Sequence, residues 1–318
     1  MKRIIGAIAA LALLTGCTQS VEIETVYLAT HDSFVISEEL IADFESQSGY
    51  QLEIVKLGDT GSLTSKLVVT KQSPVADAVY GIDNTFLGLA KSENIFASDI
   101  AEINFSDVCF NYDVAWFKEN QISPPKSWRE LGEPQFKALT VVTNPLYSSP
   151  GLAFLATTHA GFETSAQVFE YWRNLRDNQV KVAGSWEDAY FVDFTRYGGN
   201  YPIVLSYASS PAAEVDESGN SGTAALLEEC FRQTEYAAVL ANAKNPNGAQ
   251  AIVDFLLSKN FQQSMPESMY VYPAHPDATL PEAWSKHALP ANSTIGESLD
   301  ISENRDRWLT DWQDVFDN

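Results

Sequence analysis

The chain is most strongly constrained by a repeated order of short apolar segments, each followed by a stretch with helical spacing of its apolar residues. In the amino-terminal part, this order predicts strands at residues 26–28, 50–57 and 76–80, separated by helices at 37–46 and 63–70. A similar order returns later, with strands at 139–142, 180–182 and 203–205. Strands that alternate with helices form a mainly parallel sheet flanked by helices. We therefore predict an α/β fold of two such lobes with a cleft between them.

Two of the predicted strand ends run into a Ser-Ser-Pro sequence. After residues 203–205, Ser210 is expected to cap a helix that starts at Pro211. The same order recurs at residues 148–150, ahead of an apolar helix. In open α/β sheets, small ligands bind at the carboxyl ends of the strands. The two junctions predict hydroxyl-rich helix starts that face one cleft, although a capped helix after a core strand would give the same pattern.

The amino terminus has the features of a secretion signal. Lys2 and Arg3 precede an apolar run at residues 4–14, which is too short to span a bilayer. The run ends at Cys17 in a sequence that resembles the bacterial lipobox, in which the cysteine receives the lipid. We expect residues 1–16 to be removed and the mature protein to be held at a membrane, in the periplasm or at the cell surface, through lipidated Cys17. An ordinary signal peptide with a chance cysteine is the alternative.

The chain is strongly acidic, with a formal net charge of −22 at pH 7. Such a surface repels the phosphates of nucleic acids, so we expect no nucleic-acid partner. A cationic ligand suits this charge, although solubility or a salty habitat explains it equally well.

Two further cysteines, Cys109 and Cys230, remain in a compartment that we expect to be oxidising. A disulfide between them is a reasonable prediction for an exported protein. Two buried free thiols are the alternative.

No catalytic signature stands out, and the four histidines lack the spacing of a zinc site. Carboxylates are abundant, so a secreted lipoprotein enzyme with an acidic pair stays an open alternative. Aromatic and polar side chains recur near the strand ends. They are His31, Asp59, Ser148, Ser149, Trp186, Tyr207, Ser209, Ser210 and Tyr270. Aromatic rings together with a carboxylate suit a flat cation.

Six segments, in order along the mature chain, carry a resemblance to a known family. They are residues 26–34, 76–84, 149–152, 185–190, 204–211 and 269–273. The chain resembles the thiamine-binding substrate-binding proteins of bacterial ABC importers. This resemblance implies a two-lobe fold of the periplasmic-binding-protein type II class, no catalytic activity and no cofactor. It also implies thiamine or a thiamine phosphate as ligand, and delivery to permease and ATPase subunits by a protein that we expect to be a monomer.

The resemblance also implies a set of ligand contacts. Asp59 and Thr60 are expected to meet the ligand at one strand end. Ser148 and Ser149 would face its hydroxyethyl or phosphate end, and Trp186 would stack on a ring.

The opposite wall of the expected site is a short segment of the second lobe. It consists of Tyr207, Ala208, Ser209 and Ser210. His31 stands where the family often has Tyr, and Tyr270 where it often has Trp. Both differences bear on affinity and on the choice between thiamine and its phosphates.

We expect lobe 1 to comprise residues 17–106 with about 236–275, and lobe 2 to comprise about 107–235 with 276–318. The segment between Phe96 and Asp107 is shorter than the resemblance implies, which predicts a stiffer or differently built hinge. A protein of the same fold for a polyamine, a ferric ion or a phosphonate is the main rival. Ferric sites usually need adjacent tyrosines, which this chain lacks, whereas a polyamine would use similar aromatic and acidic residues.

Overall fold

The computed structural model describes residues 23–97 and 99–317. The expected signal peptide at residues 1–16 and the expected lipidation site Cys17 lie outside the described residues. Within the described part of the chain, no helix is long and apolar enough to cross a membrane.

Ten strands of the described chain form one mixed sheet in the order β2-β1-β3-β9-β4-β7-β5-β6, with β8 and β10 also paired to β4. The strands are β1 (Thr25–Thr30), β2 (Gln51–Lys56), β3 (Ala78–Asp83), β4 (Ala101–Asp113), β5 (Thr140–Thr143), β6 (Lys181–Ala183), β7 (Ile203–Tyr207), β8 (Thr223–Ala225), β9 (Phe231–Val239) and β10 (Tyr272–Pro273). In the first half of the sheet, β2, β1 and β3 are parallel. In the second half, β7, β5 and β6 are parallel. The predicted α/β class with two mainly parallel strand sets is confirmed.

Helices cover the two strand sets. They are α1 (Glu38–Ser48), α2 (Thr60–Thr70), α3 (Leu87–Ser92), α4 (Val114–Asn120), α5 (Ser149–Gly161), α6 (Ser165–Asp177), α7 (Pro246–Leu257), α8 (Lys259–Met269), α9 (Trp284–His287) and α10 (Ile301–Asp317). Ser37, the first residue of the helix predicted at 37–46, caps α1, because its side chain accepts a hydrogen bond from the backbone N–H of Leu40. Gly49 ends this helix with a φ of 76°, which favours glycine.

The core consists of several apolar clusters, one of which contains residues of both halves of the sheet. In the first half, Phe34, Phe44 and Phe261 are buried against the strands. In the second half, Trp172 on α6 meets Trp312 on α10, with ring centroids 5.9 Å apart. The cluster that holds this pair also contains Leu63 and Phe86 of the first half, so the two halves share part of their interior.

Two long antiparallel strands join the halves. β4 pairs with β9 from Ala101 to Val108 and with β7 from Val108 to Tyr112. The sequence predicted only residues 108–112 as a strand, and the structure extends it backward through most of the segment between Phe96 and Asp107. The expected lobe boundaries at about 106 and 236 fall within β4 and β9.

Cys109 on β4 and Cys230, just before β9, are joined by a disulfide with their Cα atoms 5.0 Å apart. Both cysteines are buried and pack against Ala208. The bond fixes the end of β9 to the middle of β4, at the centre of the connection between the two halves.

Candidate functional site

A small, partly open cleft lies where strand ends from both halves of the sheet meet. It is lined by His31, Ser33, Asp59, Thr60, Ser149, Trp186, Tyr207, Glu235, Met269 and Val271. Its volume is about 30 Å³. The structure thus brings together six residues that the sequence proposed for the ligand. They are His31, Asp59, Thr60, Ser149, Trp186 and Tyr207.

His31 follows β1 and forms a buried ion pair with Glu235 of β9, with His31 Nε2 3.2 Å from Glu235 Oε1. The other carboxylate oxygen of Glu235 accepts hydrogen bonds from the Tyr80 hydroxyl and the Asn104 amide, each at 2.9 Å. Burial alone would lower the pKa of His31, but Glu235, together with Asp59 and Asp83, outweighs this effect and raises that pKa. Burial acts to raise the pKa of Glu235, yet its partners, His31 first, hold it below its ordinary value. The pair is therefore charged and held in place.

Asp59 connects the two halves of the molecule. It caps α2, and its Oδ1 accepts from the backbone N–H of Thr60 at 2.7 Å. Its Oδ2 accepts from the backbone N–H of Trp186 at 2.9 Å, across the cleft. Burial raises the pKa of Asp59, and the hydrogen bond from Trp186 and the nearby Ser148 hydroxyl oppose that change. The helix was predicted to start at residue 63, but this cap starts it at Thr60.

Asp83 is a second buried carboxyl group beside the cleft, at the end of β3. Its Oδ1 accepts hydrogen bonds from the Thr85 hydroxyl at 2.6 Å and the Thr85 backbone N–H at 3.0 Å. Burial raises the pKa of Asp83 to about 7, the Glu235 charge adds to this, and the Thr85 and Ser149 hydroxyls oppose it.

Trp186 forms part of the wall from the second half. It is only 7% exposed, and its indole N–H donates to the Ser206 hydroxyl at 3.0 Å. Tyr190 stacks on one face of the indole, with centroids 5.1 Å apart and planes at 21°. Tyr207 lies at 5.8 Å in a tilted arrangement. Trp186 is therefore both a packed residue and a lining residue of the cleft.

The segment after β7 differs from its prediction. Residues Ser210–Glu214 form a short 3₁₀ turn, with Ser209 at the cap position and no side-chain cap bond. The Ser210 hydroxyl instead bonds with Ser206 at 2.8 Å and accepts from the Tyr207 backbone N–H at 3.3 Å. Ala208 packs beside the disulfide. Of this predicted wall, only Tyr207 lines the cleft.

Tyr270 was expected near the end of a strand, but it directly follows helix α8, in a left-handed conformation with a φ of 59°. Its carbonyl accepts a 2.5 Å hydrogen bond from the Ser209 hydroxyl, and its ring packs against the cluster around Trp186. Its neighbours Met269 and Val271 line the cleft instead.

Ser148 lies at the cap position of α5 and is fully buried. Its side chain makes no cap bond to the helix and no other hydrogen bond, but it lies near enough to Asp59 to oppose the rise that burial causes in the pKa of that carboxyl. Ser149, the next residue, lines the cleft, whereas Ser209 and Ser210 of the second Ser-Ser-Pro sequence do not.

A sequence profile of the bacterial extracellular solute-binding proteins matches residues 73–292. The chain belongs to this family. It is 30% identical to the thiamine-binding periplasmic protein of Escherichia coli (strain K12), over 95% of this chain and 97% of that protein. The protein of the same name in Salmonella typhimurium (strain LT2) is 30% identical, over 91% of this chain and 92% of that protein.

A solved structure of a periplasmic thiamin binding protein superimposes with a TM-score of 0.81 at 25% sequence identity. The match covers 93% of this chain and 98% of that one. The two-lobe fold and the predicted family are thereby confirmed, and the two halves of the sheet are the lobes of a solute-binding protein.

The sequence missed four residues that line the cleft of this solute-binding protein. They are Ser33, Glu235, Met269 and Val271. Ser33 lies in a segment that carried the family resemblance and could have been found there. Glu235 lies in the middle of a strand in which polar and apolar residues alternate, and the polar residues of such a strand usually face solvent. Its place in the cleft is therefore evident only from its buried partners in the structure.

Acidic groups dominate the surroundings of the cleft. Asp59, Asp83 and Glu235 all act on His31, and none of the ten lining residues is a lysine or an arginine. Among residues 23–97 and 99–317, no group of three or more His, Cys, Asp or Glu is arranged to hold a metal ion. The solute-binding protein thus presents a site that suits a positively charged organic ligand.

Proposed function

We propose that this solute-binding protein captures thiamine, or one of its phosphates, in the cleft and delivers it to the permease and ATPase of an ABC importer. The observation that carries the proposal is the pairing of two aromatic side chains of the second lobe, Trp186 and Tyr207, with acidic groups of the first lobe. Thiamine has a permanently charged thiazolium ring. Such a ring is attracted by aromatic faces and by nearby carboxylates.

The relatives support this choice, because the two named above are called thiamine-binding periplasmic proteins. Both match this chain over almost their whole length. The likeness extends to the solved thiamin-binding structure. The proposed binding residues at the cleft surface are the six that the sequence predicted and that also line the cleft. They are His31, Asp59, Thr60, Ser149, Trp186 and Tyr207. Ser148, Ala208, Ser209, Ser210 and Tyr270 are proposed to act from behind this surface.

Capture requires the lobes to move. The cleft volume of about 30 Å³ is far below the roughly 300–1,000 Å³ of ordinary small-molecule pockets. Thiamine therefore enters when the lobes are apart, and it is then enclosed by their closure. Such sequestration suits transport, and we propose that the protein performs no chemistry on its ligand.

The test is native mass spectrometry of the purified mature protein, followed by calorimetric titration with thiamine and, separately, with spermidine. We expect a co-purified mass of thiamine or a thiamine phosphate, one ligand per chain, and recovery of thiamine unchanged. Binding of spermidine without binding of thiamine would replace the proposal with the polyamine alternative. Conversion of thiamine into a product would replace it with an enzyme.

We further propose that the protein is exported, processed before Cys17 and held at the membrane by lipid on that cysteine. The expected apolar signal run at residues 4–14 and the small residues before Cys17 support this. Cys17→Ser should move the protein from the membrane fraction to the soluble fraction of cells washed in high salt. A variant that stays with the membranes would contradict lipid anchoring and leave the thiamine proposal intact.

A further inference from the structure

Trp186 is held in the cleft wall by residues that lie behind the cleft surface. Its indole N–H donates to the Ser206 hydroxyl at 3.0 Å, and that hydroxyl lies 2.8 Å from the hydroxyl of Ser210. Tyr190 stacks on one face of the indole, with ring centroids 5.1 Å apart. Neither Ser210 nor Tyr190 is among the lining residues of the cleft. The orientation of the indole therefore depends on side chains outside the cleft.

Tyr190 is itself fixed by a hydrogen bond to a carboxylate. It lies on the π-helical segment Asp188–Asp193, a rare conformation that is frequent at functional sites. Tyr190 is only 1% exposed, so its hydroxyl needs a partner within the protein. That partner is Glu214, whose Oε1 accepts from the Tyr190 hydroxyl at 3.0 Å.

Glu214 is a buried carboxylate with several partners. Its side chain is 7% exposed, and its Oε2 lies 3.5 Å from Arg196 Nε. Its Oε1 also accepts a hydrogen bond from the Tyr197 hydroxyl at 2.8 Å. Burying a carboxylate is costly unless it is paired and hydrogen-bonded. These partners hold the carboxylate in one place, and the carboxylate in turn holds the Tyr190 ring.

The turn Ser210–Glu214 therefore supports Trp186 in two directions. Ser210, at its start, supports the edge of the indole through Ser206. Glu214, at its end, supports the face of the indole through Tyr190. A hydrogen-bonded network of this kind, with its donors and acceptors satisfied, specifies one arrangement of the side chains.

We propose that Glu214 is a positioning residue: through Tyr190 it fixes the orientation of the Trp186 indole, and it thereby sets the affinity of the cleft for its cationic ligand. The inference rests on the proposed function for the identity of that ligand, which is taken to be thiamine. Cation–π attraction requires the cation to lie over the face of the ring. A displaced indole would lose part of this attraction although no atom that touches the ligand had been removed.

Calorimetric titration with thiamine separates positioning from a simple effect of charge. Glu214→Ala leaves the Tyr190 hydroxyl without its acceptor and should weaken binding by at least about threefold. Glu214→Gln keeps an oxygen that can accept from both tyrosines, so it should restore nearly the wild-type affinity although it carries no charge. An equal loss in Glu214→Gln and Glu214→Ala would show that Glu214 acts through its charge and would overturn the inference.

A double-mutant cycle tests whether Glu214 acts through Trp186. In a Trp186→Ala background, Glu214→Ala should cause no further loss of affinity, because the ring that Glu214 positions is absent. Tyr190→Phe removes only a hydroxyl and keeps the stacked ring, so it should weaken binding as Glu214→Ala does. Tyr190→Phe takes the place of Glu214→Ala in every comparison if that variant fails to fold.

Glu229→Ala is the matched control. Glu229 is a carboxylate of the same lobe, it is also paired with an arginine, Arg129, and it lies outside the cleft lining. The substitution makes the same change in net charge as Glu214→Ala. It should leave the affinity for thiamine unchanged.

Fluorine NMR of the protein labelled with fluorotryptophan follows the surroundings of Trp186 without any ligand. Trp186→Phe identifies its resonance among those of the seven tryptophans. Glu214→Ala and Tyr190→Phe should shift or broaden this resonance, and Glu214→Gln should return it close to its wild-type position.

The inference is overturned if either the Trp186 resonance or the thiamine affinity is unchanged in folded Glu214→Ala. It is also overturned if Glu214→Ala weakens binding equally with and without Trp186. If the wild-type protein does not bind thiamine, the proposed function fails. The fluorine spectra then decide by themselves whether Glu214 positions Trp186.

Discussion

Trp186 is a residue with two roles, and each role has its own measurable consequence. Because the indole is buried and hydrogen-bonded to Ser206, Trp186→Ala should lower the free energy of unfolding by about 3–5 kcal/mol. If the free face of the ring also meets the thiazolium, thiamine affinity should fall about thirtyfold, or about 2 kcal/mol. Trp186→Phe should lose less stability and less thiamine affinity than Trp186→Ala, because an aromatic ring face remains.

Chemical denaturation and calorimetric titration of the same samples separate the two effects. Trp172→Phe is the control, because Trp172 is buried against Trp312, away from the cleft lining. It should reduce stability without changing affinity. Normal affinity in folded Trp186→Ala would remove this residue from the proposed ligand contacts.

Asp83 should make stability depend on pH. Its pKa is about 7 in the folded protein, against an ordinary value of 3.8, so the folded chain holds a proton that the unfolded chain releases. This contribution to stability is greatest at low pH and is lost as the pH rises from about 4 through 7. Asp83→Asn should therefore stabilise the protein more at pH 8 than at pH 5, by on the order of 2–3 kcal/mol. Urea unfolding of the wild-type protein and the variant at pH 5 and at pH 8 tests this prediction. An equal gain in the free energy of unfolding at the two pH values would contradict it.

At the scale of elements, the sequence predicted those helices and strands whose patterns are local. The helix at residues 37–46 and the strands that precede the Ser-Ser-Pro junctions could be recognised from the sequence without knowledge of what they pack against. The helix α8 was missed because it is largely polar and contains Pro266, which normally ends a helix. The first half of β4 was missed because polar residues interrupt it, and only its pairing with β9 buries them.

The disulfide joins two elements and should contribute to their stability. It closes a loop with a sequence separation of 121 residues, so chain entropy predicts a contribution of about 4–5 kcal/mol before any strain. Thiol titration of the denatured, unreduced protein should find neither Cys109 nor Cys230 free. Reduction should lower the free energy of unfolding by about this amount, and the urea concentration at the unfolding midpoint should fall accordingly. The double variant with Cys109→Ala and Cys230→Ala should unfold like the reduced protein. Two titratable thiols in the unreduced chain would refute the prediction.

At the scale of the whole molecule, the sequence could predict those site residues that lie at the carboxyl ends of strands. The carboxyl ends of parallel strands meet at one edge of each lobe, and so the positions of His31, Asp59 and Trp186 followed from the topology. The hydrogen-bond partners of these side chains did not follow from the topology. Asp59 was expected to face the ligand, yet both of its carboxylate oxygens accept backbone N–H groups, one from each lobe. That contact exists only when the two lobes are brought together, and no pattern within either lobe indicates it.

At Gly61 the backbones of the two lobes are in contact, and a side chain there should oppose their closure. A Cβ atom would lie 2.7 Å from the Tyr147 carbonyl oxygen and 2.8 Å from that of Leu146. Both oxygens belong to the backbone, so neither can move aside as a flexible side chain would. Gly61→Ala also improves helix propensity within α2. The Cβ atom would also lie 2.8 Å from Cζ of Phe86, a buried ring of the first lobe, so chemical denaturation of Gly61→Ala accompanies the binding measurement. For the folded variant we expect thiamine affinity to fall by at least about tenfold, or about 1.4 kcal/mol.

Small-angle X-ray scattering with saturating thiamine measures closure directly. The wild-type protein should become more compact when thiamine is added, and Gly61→Ala should keep a larger radius of gyration at the same occupancy. Ser65→Ala is the control, because it raises helix propensity on the exposed side of the same helix and touches no part of the other lobe. It should close and bind like the wild type. If Gly61→Ala compacts fully and binds thiamine normally, the contact between α2 and the loop before α5 does not belong to the ligand-bound form.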